Sequence, residues 1–259
     1  MNSNAPRLVL LAGQGEPTNI AYHALRTFLP PCAVMIEQPV PRSRFLKNRA
    51  RKLGWPTVFG QVLFSTLMLP HLRKASAPRR QEILREFSME IGPISEEIVT
   101  HVDSVNDGSS IDTLKQFKPD LVLLCGTRIV ARRVLESVPA TFINIHAGIT
   151  PLYRGVHGAY WALVQQQPDA CGVTVHLVDP GIDTGSILAH DLIHPSSSDT
   201  FATYPLLQLG AGLRLLKEVI QRLSAGERWK IDPPYGKSAL WSHPTLRQYL
   251  KYRKQLGVK

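Results

Sequence analysis

The chain has 259 residues, 44% hydrophobic and 19% charged, with 30 Lys or Arg against 20 Asp or Glu. That balance excludes a disordered or fibrous chain and gives ample length for a real core. The formal charge of +10 favours anionic ligands, from phosphates and nucleotides to nucleic acid or acidic membrane, without choosing among them.

The N-terminus, "MNSNAPRLVLLAGQG", carries one Arg and only five consecutive apolar residues, too few for a signal-peptide core. No run approaches the ~18 apolar residues of a membrane span, so a cytoplasmic protein is expected. "RLVLLAG" predicts a buried strand, "QGEPTN" a turn, "IAYHALRTFL" an amphipathic helix and "CAVMIEQ" a second strand. Residues 40–95 break this alternation. They predict two or three helices punctuated by Gly54, Pro56, Pro70 and Pro78, with Arg42, Arg44, Lys47, Arg49, Arg51 and Lys52 crowding the start. Those cations predict a solvated helix face, an anion-binding surface or a membrane-surface helix.

Alternation then resumes. "EEIVTHVDSV", "PDLVLLCG", "TFINIHAG", "CGVTVHLVD" and "GSILAHDLI" predict strands, and "SIDTLKQF", "IVARRVLESV", "HGAYWALVQQ" and "TFATYPLLQLGAGLRLLKEVIQRL" predict helices. From about Ser224 the chain is rich in proline and basic residues, with one helix near "PTLRQYLKYRKQ". The sum is an α/β fold with an open, mostly parallel Rossmann-like sheet and flanking helices. Residues 1–222 would form the catalytic domain, with the helices of 40–95 inserted, and 223–259 a short basic C-terminal extension. Cys32, Cys125 and Cys171 lack clustered spacing, which predicts buried thiols in a reducing compartment rather than disulfides or a zinc site.

In such sheets the ligand lies beyond the carboxyl ends of the strands. Three polar segments, "CGTR", "NIHAG" and "DPGIDTG", fall there. Asn144 and His146, two apart on one strand, share a face, and Gly148 leaves room for a ligand to approach the backbone. Alone, such a pair is more often a satisfied strand end than a site. Asp183, on a glycine-flanked turn, supplies a carboxylate able to orient an imidazole. An amide donor, an acid/base and a carboxylate suit acyl transfer to an amine, where an oxyanion must be held and protons moved. No Ser or Cys is placed as a nucleophile, so direct transfer is expected.

From Asp120 to Gly185 the sequence resembles the folate-dependent formyltransferases. It carries Asn144-x-His146, then "PLYRG" from Pro151 to Gly155, then Asp179, Gly181, Asp183, Thr184 and Gly185, in that family's order. The resemblance covers the core to about residue 222 and is weak over 40–95 and in the tail. It implies N10-formyltetrahydrofolate as formyl donor, with no metal. Asn144 would hold the formyl oxygen, His146 would bind that oxygen and assist proton transfer, and Asp183 would orient His146 and relay protons. The pterin would lie against the backbone of Cys125, Gly126, Thr127, Arg128, Ile129 and Val130 and of Asp179, Gly181 and Ile182.

The acceptor amine is less constrained. Methionyl-tRNA formyltransferases resemble this core but add a β-barrel domain that residues after 222 do not provide. Glycinamide ribonucleotide formyltransferases carry a phosphate loop of small residues where this chain has Glu16 and Pro17, and a carboxylate there would repel phosphate. The short tail and "HAGITPLYRGVHGAYWAL" most resemble sugar N-formyltransferases, and among them those acting on GDP-perosamine, which serve surface polysaccharide synthesis. Gly148, Pro151, Tyr153, Arg154, Gly155, His157 and Tyr160 would then shape the acceptor side. Arg154 would bind a phosphate or hydroxyl, or else brace the loop on a local carboxylate, and Tyr160 and Trp161 suit a core as well as a ligand. His157, His176, His190 and His194 show no metal spacing and read as structural or surface. The resemblance suggests a homodimer, with no nucleic-acid partner. Two alternatives stand beside this reading: a formyltetrahydrofolate hydrolase, and a non-enzymatic polyanion-binding module working through Arg42–Lys52 and the tail.

Overall fold

Residues 5–259 are described by the computed structural model, so the first four residues of the expected catalytic domain lie outside the described residues. Strand β1 (Leu8–Gly13) is buried almost throughout. A strand covered on both faces needs continuous apolar residues, and "LVLLA" supplies them. It pairs in parallel with β2 (Ala33–Glu37) on one side and β4 (Leu121–Cys125) on the other. Beyond these lie β3 (Val99–Val102), β5 (Thr141–His146), β7 (Gly172–Leu177) and β8 (Ile187–Leu192), in the order β3-β2-β1-β4-β5-β7-β8. The first five strands of that order are parallel, and β7 and β8 are antiparallel additions at one edge. The chain winds outward from β1 to β3 and returns to β4, so the strand order reverses between β1 and β4. A crevice beyond the strand ends is expected at such a switch point.

Helix α1 (Glu16–Arg26) begins earlier than the sequence predicts. The "QGEPTN" segment is mostly its first turn. Pro17 is tolerated there because the first helical N–H groups have no intrahelical partner. The inserted region holds four helices: α2 (Arg42–Leu53), α3 (Trp55–Leu63), α4 (Leu69–Ala75) and α5 (Ala77–Glu86), with a π-helical turn at Phe64–Met68 joining α3 to α4. Phe64, Leu72 and Ile83 are buried in the same core as β1 and the long helix α9 (Tyr204–Ser224).

Helix α6 (Gly108–Phe117) and the short α7 (Arg132–Leu135) accompany the sheet's other face, where Leu114 and Val134 join Val9, Met35 and Val122. The C-terminal residues fold back onto the body. Strand β9 (Leu240–Trp241) pairs with β6 (Arg154–Gly155). Helix α10 (Leu246–Leu256) starts with a capping box between Thr245 and Gln248, which satisfies two helix-end donors. Its Tyr249 is fully buried, the ring centroid 5.0 Å from that of Phe64.

The cysteines divide. Cys171 is buried and Cys125 half-buried, but Cys32 is exposed, correcting the expectation of three buried thiols. It sits just ahead of β2, before the strand enters the core.

Candidate active site

Asn144 and His146 lie on one face at the carboxyl end of β5. The neighbouring β7 runs antiparallel, and its register sets His176 opposite Asn144 and Thr174 opposite His146. The loop between β7 and β8 carries Asp183 with φ 52°, a left-handed conformation that a non-glycine residue rarely adopts. Asp179 Oδ1 accepts the Gly181 N–H at 3.0 Å and the Thr184 hydroxyl at 2.7 Å, which closes the loop on itself. A side chain at Gly181 would strike Thr184. Asp179, Gly181 and Thr184 therefore act together to turn Asp183 back toward β5.

The result is a convergence of polar groups with little exposure. Asp183 Oδ1 lies 3.3 Å from His146 Nδ1 and 3.8 Å from His176 Nε2. Its other oxygen accepts the Gly155 N–H at 2.9 Å. The second nitrogen of His146, Nε2, faces the Tyr153 carbonyl at 2.7 Å. Both nitrogens of His146 thus face acceptors, Asp183 on one side and the Tyr153 carbonyl on the other.

His176 is arranged differently. Its Nδ1 lies 2.7 Å from the Leu177 carbonyl, so Nδ1 carries the proton and Nε2 is left to accept from Asn144 Nδ2 at 3.1 Å. Burial, first of all, lowers the affinity of His176 for a second proton, with the neighbouring Asp183 opposing. This contact fixes one amide N–H of Asn144 and leaves the other free. From its sequence context alone His176 reads as structural or surface. The signal that finds it is the antiparallel pairing of β7 with β5, which single-strand periodicity does not contain.

These groups border a cavity of about 490 Å³, lined also by Gly126–Val130, Val178, Asp179, Gly181 and Ile182. Of the residues expected along the pterin, Cys125 does not line it, and burial pushes its thiol up to about 11. Arg128 turns its guanidinium away. Its Nη2 donates to the Gln38 carbonyl at 2.7 Å, and its Nε lies 2.6 Å from the buried Glu37 carboxylate without an aligned N–H. Glu37 also accepts the Arg128 backbone N–H at 2.6 Å. The loop is thereby pinned, with the Arg128 guanidinium engaged by Glu37 and the Gln38 carbonyl.

The residues expected on the acceptor side are not brought together. Pro151 and Arg154 line a second cavity of about 300 Å³ that shares Asp183 with the first. Arg154 Nη1 donates to the Ile182 carbonyl at 3.2 Å, and its Nε is buried without a partner, so the local-carboxylate brace is not formed. Gly155 lines the first cavity. Gly148 gives no ligand access: an added side chain would meet the Tyr153 carbonyl at 2.3 Å and His146 Nε2 at 2.9 Å. Its missing side chain is what lets Tyr153 reach His146.

Tyr153 and Tyr160 are core residues. Tyr153 stacks on Trp241 and bonds Gln167 at 2.5 Å, and Tyr160 packs edge-on to Phe201 and Trp161. Large rings this deeply packed serve burial rather than a ligand. His157 lies apart, its Nε2 3.1 Å from His243, at a third cavity of about 610 Å³ bordered by Glu16, Arg73 and Arg80. In that cavity Glu16 is paired with Arg80. Its charge is therefore neutralised, which removes the repulsion toward phosphate argued from sequence. Among the described residues, no group of three or more His, Cys, Asp or Glu is placed to hold a metal, and no helix is long and apolar enough to cross a membrane.

Residues 82–206 match the formyl transferase family. A methionyl-tRNA formyltransferase of Kosmotoga olearia is 34% identical over 125 residues, 48% of this chain and 40% of that protein. The chain thus spans less than half the length of this curated relative. Solved structures share the fold. Glycinamide ribonucleotide transformylase 1 of Symbiobacterium toebii superposes with TM-score 0.56 at 19% identity, over 87% of this chain and 90% of that one. A sugar N-formyltransferase of a Shewanella species gives 0.55 at 17%, over 90% and 76%. An N-formyltransferase of Helicobacter canadensis, in complex with folinic acid and dTDP-3-aminofucose, gives 0.53 at 17%, over 90% and 70%. The mostly parallel seven-stranded sheet with flanking helices is the formyltransferase fold.

Proposed function

We propose that this chain transfers a formyl group from N10-formyltetrahydrofolate to the primary amine of a nucleotide-linked amino sugar. The observation that carries this reading is the convergence of Asn144, His146 and Asp183 at a cavity walled by the Gly126–Val130 and Asp179–Asp183 backbone. A pterin edge presents paired donors and acceptors, which backbone groups of two pinned loops match. The amine attacks the formyl carbon and a C–N bond forms, with the electron pair moving onto the formyl oxygen. The free Asn144 N–H holds that oxyanion, while Asp183 and the Tyr153 carbonyl keep the His146 ring in place at the cavity. The ammonium proton passes to Asp183 and from it to N10, as the bond between N10 and the formyl carbon breaks and Asp183 returns to its carboxylate. The products are a formamide and tetrahydrofolate.

The sugar acceptor is favoured by two fold neighbours whose names state sugar or amino-sugar chemistry and which cover nine-tenths of the chain. GDP-perosamine is the first acceptor to test, on the resemblance of the "HAGITPLYRGVHGAYWAL" loop, beside dTDP-linked 3-amino sugars. A second reading, methionyl-tRNA as acceptor, is favoured by the matched relatives. Formyl donor is incubated with each amino-sugar nucleotide, with glycinamide ribonucleotide and with methionyl-tRNA, and products are read by mass. A formylated sugar nucleotide is the expected product. Formylated methionyl-tRNA as sole product would replace the sugar acceptor, and formate alone would make the protein a hydrolase.

A further inference from the structure

The chain's positive charge is not spread over the molecule. Residues 38–81 hold ten Lys or Arg and residues 233–259 hold six, and neither segment contains an Asp or Glu. The rest of the chain carries fourteen Lys or Arg against twenty Asp or Glu. All the net positive charge therefore resides in these two segments, which the fold brings together. Helix α10 packs on α3: Gly60 lies against Thr245, and Gln61 donates to the His243 carbonyl at 2.7 Å. Among the described residues, no Asp or Glu lies within ion-pair distance of any cation of α2 or α10.

Between these basic helices lies the opposite kind of surface. From Trp55 to Pro70 there is no charged residue. One side of this run, Val58, Gln61 and Phe64, is buried. The other side faces outward, with Trp55 62%, Phe59 65% and Leu67 62% exposed. Trp55 and Phe59 are four apart and share a helix face. Phe45 and Leu53 of α2 and Leu250 of α10 extend the exposed apolar patch, and an open groove between α3 and α10 is lined by Pro56, Leu63, Leu246 and Leu250.

We infer that this face docks on an anionic lipid surface, with Trp55, Phe59 and Leu67 entering the headgroup region and the cations of α2 and α10 ringing them. Exposed aromatics and leucine amid unpaired Lys and Arg are what an interfacial helix needs. Charge complementarity separates this occupant from two others. A second copy of the chain in a two-fold pair would set one cationic ring against its twin. A nucleic acid would engage the cations but leave the leucines against phosphate. Among the described residues no helix is long and apolar enough to span, so this face would lie on the bilayer.

The test is cosedimentation of the full chain with phosphatidylcholine vesicles containing or lacking phosphatidylglycerol. Binding should require phosphatidylglycerol and weaken with salt. Arg44→Glu/Lys47→Glu/Arg51→Glu should weaken it on the order of 100-fold. Trp55→Ser/Phe59→Ser should weaken it roughly tenfold or more. All five side chains are exposed, so circular dichroism should be unchanged. Quenching by brominated lipid, strong in the unaltered chain and lost in Trp55→Phe, reports insertion without relying on either variant. Equal binding to neutral vesicles, or full binding by both variants, overturns the inference. So does RNA-hairpin binding at physiological salt without vesicle binding. A dimer that Trp55→Ser/Phe59→Ser dissociates, again without vesicle binding, overturns it in favour of a second copy.

Discussion

The amide of Asn144 and the imidazole of His176 meet across the β5–β7 pair at 3.1 Å, with the amide donating. The His176 proton is held on the other nitrogen by the Leu177 carbonyl. The His176 contact thereby fixes the direction of the Asn144 amide.

Removing that contact should slow chemistry more than binding. His176→Ala should lower kcat by about 10- to 100-fold, within the range for a disturbed oxyanion donor, and move KM for the formyl donor little. His176→Gln, which offers a carbonyl oxygen to the amide, should recover part of the rate. Steady-state kinetics of both variants distinguish positioning from general damage, which would move both constants.

Asp183→Asn keeps the shape of the side chain and removes its charge. The Gly155 N–H still finds an oxygen, so the loop should hold, while His146 loses its carboxylate and the amine its proton acceptor. A fall in kcat of about 10²- to 10⁴-fold is expected, with an unchanged melting temperature.

Glu37 lies outside the cavity but pins the loop that forms its wall through Arg128. Glu37→Gln should raise KM for the formyl donor several-fold with kcat nearly retained. A fall in kcat alone would contradict the assignment of this loop to the donor.

Stability should depend on pH through the His157–His243 pair. Burial, with Arg49 nearby, pushes His243 down to about 4 from an ordinary 6.5. Burial, then His243 and Arg49, also lower His157. Between pH 6.5 and 4 the unfolded chain holds a proton that the folded one lacks, so stability falls as pH drops through that window and is flat above it. Discounted for partial solvent access, the His243 share is about 2 kcal/mol at ~1.4 kcal/mol per unit. Urea unfolding across this range should show the decline, and His243→Gln should remove the His243 share of it while the share of the buried His157 remains.

The Tyr160 hydroxyl is buried without a partner. Tyr160→Phe should leave formyl transfer unchanged and be neutral or slightly stabilising, by up to about 1 kcal/mol. Loss of activity would return Tyr160 to the acceptor side.

Much of this was legible in the chain because the informative segments are local. Continuous apolar runs mark β1 and β4, and Asn144 and His146 share a face by strand period alone. The Asp179–Gly185 loop is explained by contacts within seven residues. What escaped depends on pairing between distant segments. His176 gains its role only from the register of β7 on β5, and Glu16 loses its charge only because Arg80 of the inserted helices reaches it. The residues from Tyr153 to Tyr160 expected on the acceptor side are neighbours in sequence, but a tight turn followed by the buried helix Gly158–Val164 scatters them between cavities and core. Tyr153 and Tyr160 illustrate why an aromatic beside a motif is a weak indicator, since a ring fills a core as well as it contacts a ligand.

Asn144, His146 and Asp183 are proposed to direct formyl transfer to an amine. The most direct test follows tetrahydrofolate formation with and without the accepted amino-sugar nucleotide, in the unaltered chain and in Asn144→Ala. Amine-dependent tetrahydrofolate is expected, matched mole for mole by formamide product and reduced about 100-fold or more in Asn144→Ala. Tetrahydrofolate formed at the same rate without amine, or an Asn144→Ala rate equal to that of the unaltered chain, would contradict it.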